Sequence, residues 1–366
     1  MLHYYAFFLI NSWGIVLNYH LALSRDINFA QFEHEAKLGH CPRHIMVNIK
    51  KRLNAKVHSP IQQKVCFADK LFSKLSSRPE HWALARKIAD EVDENDVVFC
   101  TGEDIGVPVA VMCARKSSRA KVVVYFHNID RVKGKLTLKL FGLGSKIDIF
   151  MACSSYQTNF LASYLNLPKS KIFLLLDQTD TQFFNPGKVS PDKKRSTLVS
   201  VGLEKRDYRL LAQATSDLDV DVKISGFSND ASALKKTFPD SMPDNMSRKF
   251  YEWPDLLQLY RDADIVVVSL VDNKYAAGVQ VMMEGMACKR PVIISNTQGM
   301  VDYLKQPNAL KVVQVGDADG LRLAIVELLS NPEKAQAQAE AGYNVIQKQH
   351  ASEIYEDLLI ERLSTL

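Results

Sequence analysis

A glycine and a glutamate separated by one and a half helical turns mark the stretch of this sequence best equipped for chemistry. They are Gly278 and Glu284, in the run Gly278-Val279-Gln280-Val281-Met282-Met283-Glu284-Gly285-Met286-Ala287. Val279, Met282, Met283 and Met286 recur at spacings of three and four, which predicts a helix with one buried face. Gln280, Glu284 and Cys288 recur at four and share a different face. Gly278 sits where that helix opens. A residue without a side chain lets backbone N–H groups approach an anion, and the helix dipole favours negative charge there. A carboxylate deeper in the helix can accept hydrogen bonds from hydroxyls. A phosphate cradle next to an acceptor for ribose hydroxyls is the chemistry of a nucleotide-sugar site. A second candidate is His127, which follows the apolar run 121–126. In open α/β sheets ligands bind beyond the carboxyl ends of strands. An imidazole placed there can hydrogen-bond a sugar hydroxyl or carry a proton; the alternative is that it satisfies backbone groups at a strand end. Glu103 and Asp104 follow another such run, 96–102.

The elements that must position these residues are legible as alternating apolar runs and amphipathic stretches. Strands are predicted at 96–102, 121–126, 147–153 and 171–176, and again at 196–202, 220–226, 265–270, 292–294 and 309–315. Helices are predicted at 42–53, 79–92, 105–114, from 156 onward, 208–215, 256–260, 279–288, 319–329, 334–349 and 354–363. Pro42 and Pro79 suit helix starts, and Pro291 ends the focal helix. The polar segment 187–196 reads as a linker. The expected layout is an apolar segment at 1–23, a first Rossmann-like domain at 24–186, a second at 197–345 and a closing helix at 346–366. Residues 136–143 are apolar with interspersed lysines; the patch either lies on a membrane surface or packs on the sheet.

At 366 residues, with 47% hydrophobic and 24% charged content, the chain is globular and long enough for two α/β domains. A net charge of +5 suits an anionic ligand or membrane surface without demanding either. No aromatic-basic interleaving points to nucleic acid, which is not an expected partner. The six cysteines lack CxxC spacing and read as buried free thiols in a reducing compartment. Residues 2–23 carry no Asp, Glu, Lys or Arg. Asn11, Ser12 and Asn18 interrupt them, so a non-spanning role is expected. An interfacial anchor, a buried first strand and an upstream extension from a misplaced start all remain open.

The run from Gly278 to Ala287, with Arg290-Pro291-Val292-Ile293, resembles the donor-binding motif of family 4 glycosyltransferases. The resemblance covers roughly residues 97 to 345 and is most specific in the second half. It implies a GT-B fold: α/β, two Rossmann-like doubly wound domains facing across a cleft, the C-terminal helix returning to the first. The usual motif has two glutamates; the second matches Glu284, and the first falls on Ala276. Arg206 takes the place of the family's diphosphate-binding Lys and Leu203 that of its Arg, with Lys205 as a neighbouring substitute. In the first domain's last segment Gln178-Thr179 replaces a Gly-containing turn.

The resemblance implies transfer of a hexosyl group from a UDP- or GDP-sugar to a sugar, glycan or lipid acceptor, with retention, without a metal and without a cofactor. The implied donor residues are Gly202, Lys205, Arg206, Gly226, Tyr251, Glu252, Gly278, Val279, Gln280 and Glu284. On the acceptor side stand Arg43, His44, Glu103 and His127. His127, Arg206 and Glu284 carry the catalytic roles. A cytoplasmic chain, peripheral at the inner membrane face, fits this reading. Two competitors stand beside it. One is a sugar-nucleotide epimerase, for which the clustered acids and bases are not found. The other is a binding protein without turnover, which Ala276 makes serious.

Overall fold

The computed structural model describes residues 17–227, 233 and 237–366. They form two units. Unit 1 comprises the described residues up to Ala30, His44–Leu175 and Glu356–Leu366; unit 2 comprises Gln31–Arg43 and Leu176–Tyr355.

Unit 1 is built on strands β1 (Asn18–Ala22), β2 (Lys56–His58), β3 (Asp96–Cys100), β4 (Lys121–Phe126), β5 (Ile149–Ala152) and β6 (Ile172–Leu174). They lie in the order β2-β1-β3-β4-β5-β6, every neighbouring pair parallel. A parallel sheet is covered on both faces, so its central strands must be apolar throughout. β3, with Val97-Val98-Phe99-Cys100, is buried along its whole length. The helix Pro79–Glu91 opens on proline and buries Trp82, Leu84, Ala85 and Ile88. The helix Glu103–Cys113 presses onto β4 through Gly106, where an added Cβ would lie 2.3 Å from Val124 Cγ1.

Unit 2 carries β7 (Thr197–Val201), β8 (Asp221–Ser225), β9 (Met246–Arg248), β10 (Ile265–Val268), β11 (Val292–Asn296) and β12 (Lys311–Gln314). Their order is β12-β11-β10-β7-β8-β9, again all parallel. This is the doubly wound order, and its direction reverses between β7 and β10. Unit 1 reverses between β1 and β3. The chain leaves β7 at Gly202 and β3 at Thr101, so both reversals open beside residues expected to do chemistry.

Several expectations shift. Of the three readings of the apolar segment, the buried first strand describes residues 18–22, which are β1, paired with β2 and β3 and not set apart from the first domain; residues 1–16 lie outside the described residues. The short strands β2 and β9 had no sequence signal. The change of unit falls after Leu175. The expected linker 187–196 is pinned to unit 2: Ser190 donates to Asp262 through its N (2.8 Å) and Oγ (2.7 Å), and Lys193 pairs with Asp264 at 2.6 Å. The closing helix runs Ser352–Ser364. Its last residues belong to unit 1, where Asn48 Nδ2 donates to Glu356 Oε1 at 2.9 Å and Arg52 pairs with Asp357 at 2.7 Å. Cys66 is exposed, unlike the other five cysteines.

In an ordinary helix interior, Gly→Ala stabilises by about 1 kcal/mol. At Gly106 overpacking against Val124 should cost about 1–3 kcal/mol and win. Gly106→Ala is therefore expected to lower the urea midpoint; a higher midpoint would mean that the helix and β4 are not in close contact.

Candidate functional site

The loops leaving β7 and β10 are laced together. Asp207 N donates to the Ser269 carbonyl, and Val271 N to the Lys205 carbonyl, both at 3.0 Å; Ser269 Oγ donates to the Asp207 carbonyl at 2.8 Å. The lacing fixes Arg206. Its guanidinium is buried, with Nε donating to the Val201 carbonyl (2.8 Å) and Nη1 to the Glu204 carbonyl (2.9 Å). Gly202 makes room for it and Gly278 borders it. A Cβ on Gly202 would lie 2.7 Å from Nη2, and one on Gly278 would lie 3.4 Å from Nη1. Both glycines have positive φ, 90° and 86°, a region that side chains rarely adopt. A Cβ at 278 would also meet Val268 Cγ1 at 2.7 Å. Gly278 is thus demanded by chain direction and packing, and it begins the helix Val279–Ala287 without a side-chain cap.

Burial lowers the pKa of Arg206, while Tyr208, Tyr260, Glu204 and Glu284 partly offset that cost. A guanidinium stays protonated far above neutrality, so the site holds a fixed positive charge. Glu284 is buried on the same helix as Gly278 and accepts from Tyr260 Oη at 2.6 Å. Its carboxyl is pushed up to about 7, chiefly by burial, against the Tyr260 hydrogen bond and the charge of Arg206. The result is a cation, a helix N-terminus and a strained carboxylate around one sheet reversal. Fixed donors and an acceptor of this kind suit a diphosphate joined to a polyol.

In unit 1 a second cluster stands at the other reversal. His127 N donates to Glu103 Oε2 at 2.9 Å, and Asn128 N to Glu103 Oε1 at 3.3 Å. His127 Nε2 lies 3.0 Å from the Thr101 carbonyl. A carbonyl only accepts, so the proton sits on Nε2. Ser24 Oγ donates to Asp104 Oδ1 at 2.5 Å, and buried His81 bridges Ser77 Oγ (2.6 Å) and the Ser24 carbonyl (2.9 Å).

The structure brings Gly202, Arg206, Gly278, Val279 and Glu284 together, and Glu103 with His127. Others fall elsewhere. Gln280 is exposed while Glu284 and Cys288 are buried, so their shared face does not share an environment. Arg43 is no open cation: its N, Nε and Nη2 reach Asp180 at 2.7, 2.9 and 2.6 Å, and Nη1 reaches Glu353 at 2.8 Å. His44 caps the helix Ile45–Leu53 by accepting from Met46 N, and burial lowers its pKa, so it is a neutral acceptor. Glu252 is exposed and is the N-cap residue of the helix Trp253–Asp262. Tyr251 is half-buried against the unit 2 core, with Lys249 Nζ 5.3 Å from its ring centroid. Gly226 is buried, and its carbonyl accepts from Arg248 at 2.8 Å. Lys205 holds a left-handed turn with φ of 57°. Ala276 offers no carboxylate, but Glu204 stands beside its neighbour, Tyr275 Oη donating to Glu204 Oε1 at 2.6 Å.

Tyr260 escaped the sequence reading. One tyrosine among the apolar residues of an amphipathic helix carries no signal that its hydroxyl meets a buried acid 24 positions later. Ser24, Ser77 and His81 were missed for the same reason.

Residues 197–331 match the family model described as Glycosyl transferases group 1. A glycosyltransferase from Rickettsia africae superposes with a TM-score of 0.67 at 15% identity, over 95% of this chain and 98% of that one. Sucrose-phosphate synthase from Thermosynechococcus elongatus gives 0.68 at 14%, over 94% and 98%. Anabaena Alr3699/HepE in complex with UDP-glucose gives 0.67 at 13%, over 95% and 100%. The fold is GT-B. No curated protein matches the chain at the level of sequence. The matched family segment in this GT-B chain contains Gly202, Arg206, Gly278, Glu284 and Tyr260 alike. Among the described residues no helix is long and apolar enough to cross a membrane.

The folded-state pKa of Glu284 lies above its ordinary 4.5. The stability it contributes is therefore present at low pH and lost as pH rises toward 7. Glu284→Gln should remove that loss. The variant is expected to exceed wild type at pH 8 by on the order of a few kcal/mol in urea unfolding, and to converge with it near pH 4.5. A gap constant across pH would mean that Glu284 does not titrate as its burial requires.

Proposed function

We propose that the chain is a glycosyltransferase that moves a hexosyl unit from a nucleotide-diphosphate sugar to an acceptor. The observation that carries this reading is the buried Arg206 guanidinium standing against the start of the Gly278 helix, with Glu284 on the same helix. The family match over residues 197–331 supports it, and so does the likeness to a protein crystallised with UDP-glucose.

In this mechanism Arg206 and the amides at Gly278 and Val279 hold the diphosphate. Charge accumulates on that group as the glycosidic bond breaks. Donors already fixed in place stabilise it without reorganising at the moment of reaction. Glu284, oriented by Tyr260, accepts from the ribose hydroxyls. A hydroxyl pair donating to both oxygens favours the carboxylate form and offsets part of the burial that raises its pKa. His127, its proton held on Nε2, presents Nδ1 as an acceptor to the sugar or to the incoming acceptor, and Glu103 fixes the backbone behind it. We assign retention of configuration and independence of a metal to the reaction. The acceptor is a sugar, glycan or lipid.

Ala276 favours a second reading, in which the chain binds nucleotide sugars without turning them over. Two measurements separate them. UDP or GDP should raise the melting temperature, and Arg206→Lys should weaken binding more than about tenfold, since it loses a charge-assisted hydrogen bond worth about 1.5–3 kcal/mol. Equal affinity in the variant would remove Arg206 from the site. Hydrolysis or transfer from UDP- and GDP-sugars, with the product anomer read by NMR and EDTA present, then tests catalysis. Tight binding without turnover across an acceptor panel would establish the binding protein instead.

A further inference from the structure

Two helices of unit 1 carry large apolar side chains in the open. On the helix Val132–Leu140, Val132, Leu136 and Leu140 recur at spacings of four and are 86, 62 and 53% exposed. The opposite side of that helix is the packed one, with Thr137 and Leu138 buried. On the helix Phe67–Ser73, Phe67 and Leu71 continue to Leu75 just beyond its end, again at spacings of four, and are 82, 52 and 44% exposed. Exposed apolar residues scattered singly need no explanation, but a contiguous set marks an interaction surface.

The two stripes belong to one face. Both segments meet the ring of Trp82: Phe72 of the helix Phe67–Ser73 stacks on it at 4.9 Å between centroids, and Phe141, the residue that ends the helix Val132–Leu140, meets it at 5.5 Å. Thr137 Oγ1 donates to the Leu75 carbonyl at 3.4 Å, which joins the end of one segment to the other helix. The outward stripes therefore border one another.

Charge selects the partner. Lys70, Lys74, Lys133 and Lys139 are exposed among these apolar residues. The acids on and next to these two helices are spent inside: Asp69 is buried against Arg86 at 2.8 Å, and the Asp130 side chain is covered and paired with Lys135 at 2.6 Å. An apolar stripe flanked by lysines with no exposed acid fits a surface that is apolar below and anionic above. That is the interface of a bilayer containing acidic lipids, where leucine and phenylalanine enter the acyl boundary and lysines meet headgroups. Neither helix carries an exposed acid, so the polar groups that the patch offers are lysine donors, which suit phosphate headgroups.

We propose that this face of unit 1 is a docking surface for an anionic lipid bilayer. The surface stands independently of the donor site, since none of its residues belongs to unit 2.

The test is sedimentation of the full chain with vesicles of phosphatidylcholine alone or mixed with phosphatidylglycerol, at low and high salt. Wild type should partition onto the mixed vesicles, and high salt should release it. The double variant Val132→Glu with Leu136→Glu should lose about tenfold or more in partitioning. Lys133→Gln with Lys139→Gln should lose only the part that depends on phosphatidylglycerol. All four side chains are exposed, so the variants should melt with wild type and keep UDP affinity. Undiminished partitioning in both variants would overturn the proposal. So would an absence of vesicle binding in wild type, and so would self-association in sedimentation velocity that the glutamate pair abolishes without any vesicle binding.

Discussion

The burial of one guanidinium organises unit 2. Removing a cation from water costs several kcal/mol unless its surroundings replace the lost solvation. Around Arg206 the replacement is made from the Val201 and Glu204 carbonyls, and from the field of Glu284 and the tyrosines. That arrangement dictates much else. Residue 202 must be glycine because a side chain there would press into the guanidinium, and residue 278 because its positive φ and the Val268 side chain leave no room for a Cβ. The loops after β7 and β10 must be laced, because a loose loop would let the cation escape to water. The sheet must reverse between those two strands, because only there do two strand ends diverge and leave room.

Glu284 is the counterweight. It is buried without a direct ion pair to Arg206 and leans on Tyr260 for its one strong donor. An acid held in this way stores instability that a ligand can relieve, which is the usual relation between a binding site and the fold that carries it. The same physics runs more gently in unit 1, where Glu103 spends both oxygens on backbone N–H groups and thereby fixes His127. There the carboxylate is a brace and the imidazole is the exposed group.

Unit 2 buries charge in Arg206 and Glu284 and in the Arg43–Asp180 pair, beside exposed pairs such as Arg195–Asp219 and Arg209–Asp240. Unit 1 carries lysines outside, next to leucines that none of the described elements covers.

The sequence by itself determined the layered α/β architecture and the helix that opens at Gly278. Short apolar runs bounded by turn residues and alternating with amphipathic stretches read as central parallel strands, and a glycine ahead of a period-3.6 apolar pattern reads as a helix start. Arg206 as the relevant cation came from resemblance, and the geometry places it against Gly278. Only the tertiary structure decided the rest. β2 and β9 are three residues each, too short to hold a period, and exist because a neighbouring strand offers them hydrogen bonds. Arg43 and Asp180 are 137 positions apart, so nothing local could show that a cation drawn as open is paired. Gln280 and Glu284 share a helical face by spacing yet differ in burial, because the wall supplied by Tyr260 covers only the deeper turn. Spacing sets which side of an element a residue occupies, and the neighbouring elements alone set what that side meets.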